Sequence, residues 1–326
     1  MRVLALLLFI GCSNSLPPPG MCEVATGSDS ATVEPVTLGG GGSYDDLTYS
    51  HALGKVVAAP QGTGRVFVVD PASMNVTSIG VPGGVGSADA SATRLFVADR
   101  GGARIVAFDL ATTMMVASHP LTSEPDYLRV SPTTGEVWVT VPGRNRIEIL
   151  EPTGLAAIAS VTTPSPPEGI TFDLQGRAYV NGDGAVVAID VAHRVVVGEW
   201  DVGCGYSHGF PQIDLAYGLA MGGCRPNGGV GVTTIEGEQR AGYEAGGGPA
   251  VLAYDATLHH LYVRGDPSPT LSILAVCADG QLGELARVPI PERGHGAVDD
   301  ELGHVWVGDS TTGDLVRITD PYPRTQ

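Results

Sequence analysis

Four ionisable residues stand in similar short contexts along the chain, each beside a proline or a glycine. They are Asp126 in Glu-Pro-Asp-Tyr, Glu168 in Pro-Pro-Glu-Gly, His208 in Tyr-Ser-His-Gly and His295 in Arg-Gly-His-Gly. Two imidazoles and two carboxylates around one opening can bind a divalent cation, or can act as a base with its electrostatic partner. These four residues are the candidate site, provided that the fold brings them together.

Three interpretations of this set are open. The opening can be a solvated polar mouth, because polar residues collect wherever a channel meets water. It can hold a ligand or an ion without turnover, or it can catalyse a reaction, because clustered ionisable groups mark function in only some proteins. Arg225, in a glycine-rich loop beside His208, either meets an anionic group or is an ordinary solvated turn residue.

The elements that must position these residues are short valine-rich strands with one central aromatic residue. The strands are Leu95-Phe96-Val97-Ala98-Asp99, Val137-Trp138-Val139-Thr140, Ala178-Tyr179-Val180-Asn181, Leu261-Tyr262-Val263-Arg264 and Val305-Trp306-Val307-Gly308. Successive aromatic residues are about 41 to 44 residues apart, or about twice that between Tyr179 and Tyr262. This period is typical of β-propeller blades, and it predicts that the aromatic side chains pack between neighbouring sheets.

The fourth unit shows the predicted strands of a blade most clearly. Residues 168–173 form an innermost strand, 176–181 a second, 186–190 a third and 195–200 an outer strand. The turn Gly182-Asp183-Gly184 joins the second strand to the third, and Asp-Gly provides the positive φ angle that a tight hairpin needs. Each unit is therefore predicted to be a four-stranded antiparallel meander.

The units predict a closed ring. Seven inner strands start near residues 45, 87, 126, 168, 208, 249 and 295, and the last unit contains only three strand-like segments. Residues 33–38 precede the first unit without another partner, so they are predicted to be the outer strand of blade seven and to close the ring. The sequence thus predicts an all-β, seven-bladed β-propeller over residues 33–322, followed by a tail at 323–326.

The segment from Leu95 to Asp109, Leu-Phe-Val-Ala-Asp-Arg-Gly-Gly-Ala-Arg-Ile-Val-Ala-Phe-Asp, resembles an NHL repeat or its YVTN-type relative. The resemblance extends more weakly over about residues 45–320. It implies a propeller of seven or six blades. Such repeats are shared by binding proteins, scaffolds, lactonases and lyases, so the resemblance implies a fold and no particular ligand.

The first residues predict export. Arg2 precedes an apolar run from Val3 to Ile10, which is too short to span a bilayer. Together they are typical of a signal peptide over residues 1–11. Phe9-Ile10-Gly11-Cys12 resembles a bacterial lipobox. It implies lipidation of Cys12 and, with Ser13 after it, sorting to the outer membrane. The other interpretation is an ordinary signal peptide with an incidental cysteine.

Residues 12–32 contain three consecutive prolines and are predicted to be a stiff tether, so that lipid alone attaches the protein to the membrane. Export leaves 17 basic and 35 acidic residues, a net charge of −18. Such a charge repels nucleic acid and anionic headgroups. The expected partner is a protein or a small-molecule ligand, and the propeller is expected to be a monomer.

Four cysteines remain once Cys12 is assigned to lipid. In a propeller, the loops that enter inner strands and the loops that join second to third strands lie on one face. Cys204 lies in the first kind of loop and Cys224 in the second, both in blade five, so a Cys204–Cys224 disulfide is predicted. Cys22 and Cys277 both fall on the opposite face and form the second predicted bridge. Two free thiols are the alternative, because sequence alone does not fix connectivity.

Hypotheses of different classes follow for the function. The first is a non-catalytic, cofactor-free envelope lipoprotein that binds a ligand or a protein as a scaffold. The second is a divalent-metal-dependent enzyme resembling the lactonase or lyase propellers, with its site at the channel mouth. A purely structural envelope protein is the third. The chain lacks the His-Glu-x-x-His and Walker motifs, so these signatures support no enzyme class.

Overall fold

The computed structural model describes residues 30–325 apart from residues 227, 249, 266, 267, 292, 293 and 295. The described residues form seven four-stranded antiparallel sheets, and in six of them the strands pair in chain order. Blade one contains β2 (Leu47–Ser50), β3 (Lys55–Ala58), β4 (Arg65–Val69) and β5 (Val76–Gly80). Blade two contains β6 (Val85–Ala90), β7 (Arg94–Asp99), β8 (Arg104–Asp109) and β9 (Met115–Pro120).

The next blades repeat this order. Blade three contains β10 (Leu128–Val130), β11 (Val137–Val141), β12 (Arg146–Leu150) and β13 (Ala157–Thr162). Blade four contains β14 (Ile170–Phe172), β15 (Arg177–Asn181), β16 (Ala185–Asp190) and β17 (Val195–Asp201). Blade five contains β18 (Ser207–Asp214), β19 (Leu219–Cys224), β20 (Gly229–Thr234) and β21 (Gln239–Glu244). Blade six contains β22 (Ala250–Asp255), β23 (His260–Gly265), β24 (Thr270–Val276) and β25 (Leu282–Pro289).

Blade seven is built from both ends of the described chain. It contains β26 (Ala297–Asp299), β27 (His304–Asp309), β28 (Asp314–Thr319) and β1 (Thr32–Val36), which pairs with β28 as the outer strand. The register places Val36 opposite Leu315 and Val33 opposite Ile318. The predicted seven-bladed ring and its closure by the N-terminal strand are therefore confirmed.

The predicted packing of the second-strand aromatic residues is also confirmed. Phe96, Trp138, Tyr179, Tyr262 and Trp306 are all fully buried. Each lies in an apolar cluster shared by two neighbouring blades, as Trp306 of blade seven does with side chains of blade one. These residues hold the blades to one another, because burying a large apolar side chain is the main source of folding free energy.

Turns between the strands follow the predicted chemistry. Gly184 has a φ angle of 73°, the left-handed conformation that the Gly182-Asp183-Gly184 turn was expected to need. One 3-10 helix, Pro142–Arg144, occurs in the described part of the chain. None of the helices found there is long and apolar enough to cross a membrane.

We call the face at which the inner strands begin the upper face, and the face at which they end the lower face. Because the strands of a blade alternate in direction, the loops from second to third strands also lie on the upper face. By the same alternation, β1 begins at the lower face. The described chain therefore enters the propeller from below.

Candidate functional site

The inner-strand starts of blades four and five bring two candidate residues together at the upper mouth of the channel. Nδ1 of His208 lies 3.5 Å from Oε2 of Glu168, and both side chains are largely buried. The Tyr206 hydroxyl donates to Oε1 of the same carboxylate at 3.0 Å. Burial raises the pKa of Glu168, but the His208 imidazole and the Tyr206 hydroxyl outweigh it and hold this pKa below its usual value.

On the other side of the mouth, one arginine bridges two carboxylates from separate blades. Arg100 follows β7, and its Nη1 lies 2.5 Å from Oδ2 of Asp45 in blade one. Its Nη2 donates to Oδ1 of Asp126 in blade three at 2.6 Å. Asp126 thus lies in the mouth as predicted from the repeat, and it has a cationic partner that the candidate set did not include.

Electrostatic repulsion couples the two sides of the mouth. The pKa of Asp126 is raised to about 7, because burial and the negative charges of Glu168 and Asp45 together outweigh Arg100, which lowers it. Arg225, after β19, lies with its guanidinium 5.9 Å from the centre of the Tyr206 ring. Its charge helps to lower the pKa of Glu168. Five adjacent blades therefore contribute to one network of charges, which we call the mouth network.

The fourth candidate, His295, lies outside the described residues. Within the described ranges there is no group of three or more His, Cys, Asp or Glu side chains placed to hold a metal ion. The predicted divalent-cation site therefore stays a prediction.

A disulfide braces the edge of the mouth in blade five. Cys204 and Cys224 are bonded, with their Cα atoms 5.1 Å apart, which confirms this predicted pair. The bond ties the loop entering β18 to the end of β19, beside His208 and Arg225. Cys277 is also disulfide-bonded. Its predicted partner Cys22, like the predicted lipidation site Cys12, lies outside the described residues, so this pairing stays a prediction.

Below the mouth network, two aromatic rings fill the centre of the channel. Tyr127 and Phe210 meet edge to face with ring centres 4.8 Å apart. The Arg100 guanidinium lies 5.4 Å from the centre of the Tyr127 ring, and that of Arg129 lies 4.2 Å from the Phe210 ring. Cations on aromatic faces stabilise such a column. We call these four side chains the central column.

Arg129, the lower cation of the column, also forms an ion pair with a carboxylate. Arg129 donates from Nη2 to Oδ1 of Asp46 at 2.6 Å and from Nη1 to Oδ2 at 2.8 Å, a bidentate pair. Asp89 lies near this pair and accepts the backbone N–H of Val130 at 2.8 Å. Burial raises the pKa of Asp89 to about 6, although Arg129 opposes the shift.

Sequence reasoning missed several residues of the channel. Asp45 occupies the same repeat position as the four candidates, so aligning the first blade with them could have found it. Tyr206 lies two residues before His208, within the motif that identified that histidine. No local signal marks Arg129 or Phe210, because both act through contacts across the channel.

Comparisons with solved structures bear on the fold. The WD40 repeats of RRP9 superimpose with a TM-score of 0.74 at 11% identity, over 88% of this chain and 97% of that chain. A chain of a mitotic checkpoint complex superimposes with a TM-score of 0.73 at 14% identity, over 98% of this chain and 99% of that chain. A chain of Kuenenia stuttgartiensis hydrazine synthase superimposes with a TM-score of 0.72 at 15% identity, over 88% of this chain and 97% of that chain.

No family model and no curated protein sequence matches this chain. At 10 to 15% identity, the likeness to solved structures shows the fold alone. Its neighbours include WD40-type propellers, so membership of the NHL or YVTN type stays a prediction.

Proposed function

We propose that this chain is an exported, lipid-anchored β-propeller that binds a protein partner at the cell envelope through its upper face. The observation that carries the proposal is the mouth network, in which Arg100 is fixed between two carboxylates and Glu168 between Tyr206 and His208. Charged groups that are already held by neighbours lose little conformational freedom on binding, which favours recognition.

The direction of the chain supports the choice of face. The described chain enters at the lower face, through β1. A tether that begins at a lipidated Cys12 would reach the propeller there, and the upper face would point away from the membrane. The upper face would then be the one free to meet a partner. Propellers of the same fold occur in a mitotic checkpoint complex, which agrees with a protein-binding role.

Site-specific photo-crosslinking in a Gram-negative host tests the face. Asp183 and Gln175 are both exposed, the first on the upper face and the second on the lower. A benzophenone amino acid in place of Asp183 is expected to give a discrete adduct that mass spectrometry identifies as one protein. The same group in place of Gln175 is expected to give none. Equal adducts at both positions, or an adduct only at Gln175, would contradict the proposal.

Lipid labelling tests the anchor separately. The full chain, grown with an alkyne-labelled fatty acid, is expected to carry the label and to fractionate with membranes. Cys12→Ala is expected to lose both, whereas Ser13→Ala keeps the label because the acceptor thiol remains. A labelled Cys12→Ala variant would overturn the assignment of the anchor.

A further inference from the structure

Below the central column, the channel contains a cavity that opens on the lower face, which we call the lower cavity. It encloses about 490 Å³, from Phe210 and Arg129 at its inner end to the turns after the inner strands. Small-molecule sites usually measure about 300 to 1,000 Å³. The lower cavity therefore has the size of a ligand site, on the face opposite the mouth network.

The wall of the lower cavity is largely apolar and aromatic. Four aromatic rings line it, from Tyr49, Phe172, Phe210 and Tyr254. At its rim, Leu174 and Leu215 remain exposed, by 76% and 37%. Exposed large apolar side chains beside a cavity are typical of ligand-binding surfaces. The wall and rim therefore suit a ligand with an apolar part.

Acidic side chains predominate among the ionisable groups of the wall. Five acidic residues line the cavity: Asp89, Asp173, Asp214, Asp299 and Glu301. Of the cationic groups, Arg129 is already held in a bidentate pair with Asp46. Nδ1 of His51 lies 3.3 Å from Glu301. The carboxylates outnumber the cations, and aromatic faces also attract cations.

Two residues that line the cavity each have one buried side-chain oxygen without a hydrogen-bond partner within the described part of the chain. The two oxygens are Oγ1 of Thr48 and Oδ1 of Asp299, and both residues are more than nine-tenths buried. A buried acceptor without a donor is unfavourable, so a ligand that supplies donors is favoured. Burial also raises the pKa of Asp299 well above its usual value, which a nearby cation would reverse.

We propose that the lower cavity binds a small organic cation with an apolar body, of the class of primary alkylamines. The ammonium group lies among the carboxylates of the wall. The alkyl chain lies against the aromatic rings and the rim leucines. This site is separate from the upper face, so the proposal does not depend on whether a protein binds at that face.

Calorimetric titration with three probes of equal chain length tests the proposal on the mature protein. Hexylammonium, hexanol and hexanoate share their apolar part and differ in charge. Hexylammonium is expected to bind at least about tenfold more tightly than hexanoate, with hexanol between them. Failure of hexylammonium to bind, or equal affinity for hexylammonium and hexanoate, would overturn the proposal.

Two matched variants locate the binding. Ala256 and Ala52 are exposed alanines in turns of the lower face, and Ala256 lines the cavity whereas Ala52 does not. Ala256→Trp covers the opening and is expected to weaken hexylammonium binding by about tenfold or more. Ala52→Trp is expected to bind as the wild type does. If Ala256→Trp keeps its melting temperature and binds hexylammonium with wild-type affinity, the cation binds elsewhere and the proposal is wrong.

Discussion

Individual side chains of the channel are organised by shared charge. Arg100 carries one positive charge but contacts two carboxylates, those of Asp45 and Asp126. Glu168 adds a third negative charge that acts on Asp126. One cation cannot compensate all of this charge in a partly buried site, so protonation of Asp126 is favourable near neutral pH. Burial and these negative charges together therefore raise the pKa of Asp126 to about 7.

Replacing Asp126 by asparagine is expected to change how stability depends on pH. The pKa of Asp126 rises from 3.8 to about 7 on folding. Its stabilising contribution is therefore fully present below about pH 4 and is lost as the pH rises through 7. Each unit of pKa corresponds to about 1.4 kcal/mol. Guanidinium unfolding between pH 4 and 8 is expected to show Asp126→Asn gaining stability relative to the wild type as the pH rises.

Asp109→Asn provides a control that is not expected to titrate in this pH range. Hydrogen bonds from the Thr112 backbone and hydroxyl lower the pKa of Asp109 in its turn. Its contribution is present above its unfolded pKa of 3.8 and is lost only as the pH falls below that value, so the difference between this variant and the wild type is expected to stay constant between pH 4 and 8. A constant difference between wild type and Asp126→Asn over the whole range would show that Asp126 does not titrate there.

Among the elements, β18 shapes the channel through an irregularity in its pairing with β19. The register of β18 against β19 shifts between His208 and Gln212, and Phe210 lies within this bulge. Asn181 of blade four stabilises the bulge by donating from Nδ2 to the carbonyl oxygen of His208 at 2.8 Å. Bulges re-aim side chains, and this one allows Phe210 to complete the central column.

Gly169→Ala is expected to disturb this bulge. A Cβ atom at position 169 would lie 2.5 Å from the carbonyl oxygen of Gly209 and 2.7 Å from Cδ1 of Phe210. The bulge and the ring must both move, and such overpacking costs about 1 to 3 kcal/mol. The free energy of unfolding, measured in guanidinium, is expected to fall by this amount.

Gly205→Ala is the matched control. It lies in the loop that enters β18, and its added Cβ atom would have no neighbour within 4 Å. Its effect is expected to stay within about 0.5 kcal/mol. Equal losses in the two variants would mean that the bulge is not a packed element.

The blades and the bulge of β18 show how much of the channel could be predicted from the sequence. The repeated aromatic residues predicted blades two, three, four, six and seven, because large apolar residues at one repeat position must pack between sheets, and the inner-strand starts completed the count of seven. They also placed Glu168 beside His208, since both precede or begin inner strands of adjacent blades. The bulge of β18 was not predicted, because alternation along a strand carries no signal for the three residues, 209–211, that interrupt its pairing. The pairing of Arg129 with Asp46 was not predicted either, because the two residues are distant in the sequence and meet only across the channel.

For the whole molecule, stability depends on the seam in blade seven. There β1 pairs with β28, so residues from the two ends of the described chain form one sheet. Leu38 extends the contact by donating its backbone N–H to Oδ1 of Asp314 at 2.8 Å. Arg317 and Glu34 form an ion pair across the same strands at 2.5 Å. In the seam, β1 covers the edge of β28 that would otherwise be open to other chains.

Val36→Asp is expected to open this seam. Val36 is 5% exposed and packs in a cluster with Tyr44 and Leu315. A carboxylate buried there has no cationic partner in the cluster, and burying an unpaired charge is among the largest single-residue effects on stability. A loss of roughly 3 kcal/mol is expected. Hydrogen exchange should then show the backbone amides of β28 exchanging faster, because their partner strand detaches first.

Val33→Asp tests whether packing or strand pairing holds the seam. Val33 lies on the same strand and pairs with Ile318, but it is 45% exposed. Its replacement keeps the backbone ladder and places the charge in solvent, so a change within about 0.5 kcal/mol is expected. If both variants lose the same stability, backbone pairing alone holds β1 and the cluster around Val36 contributes little. If only Val36→Asp loses stability and exposes β28, the apolar cluster beneath the seam is what closes the ring.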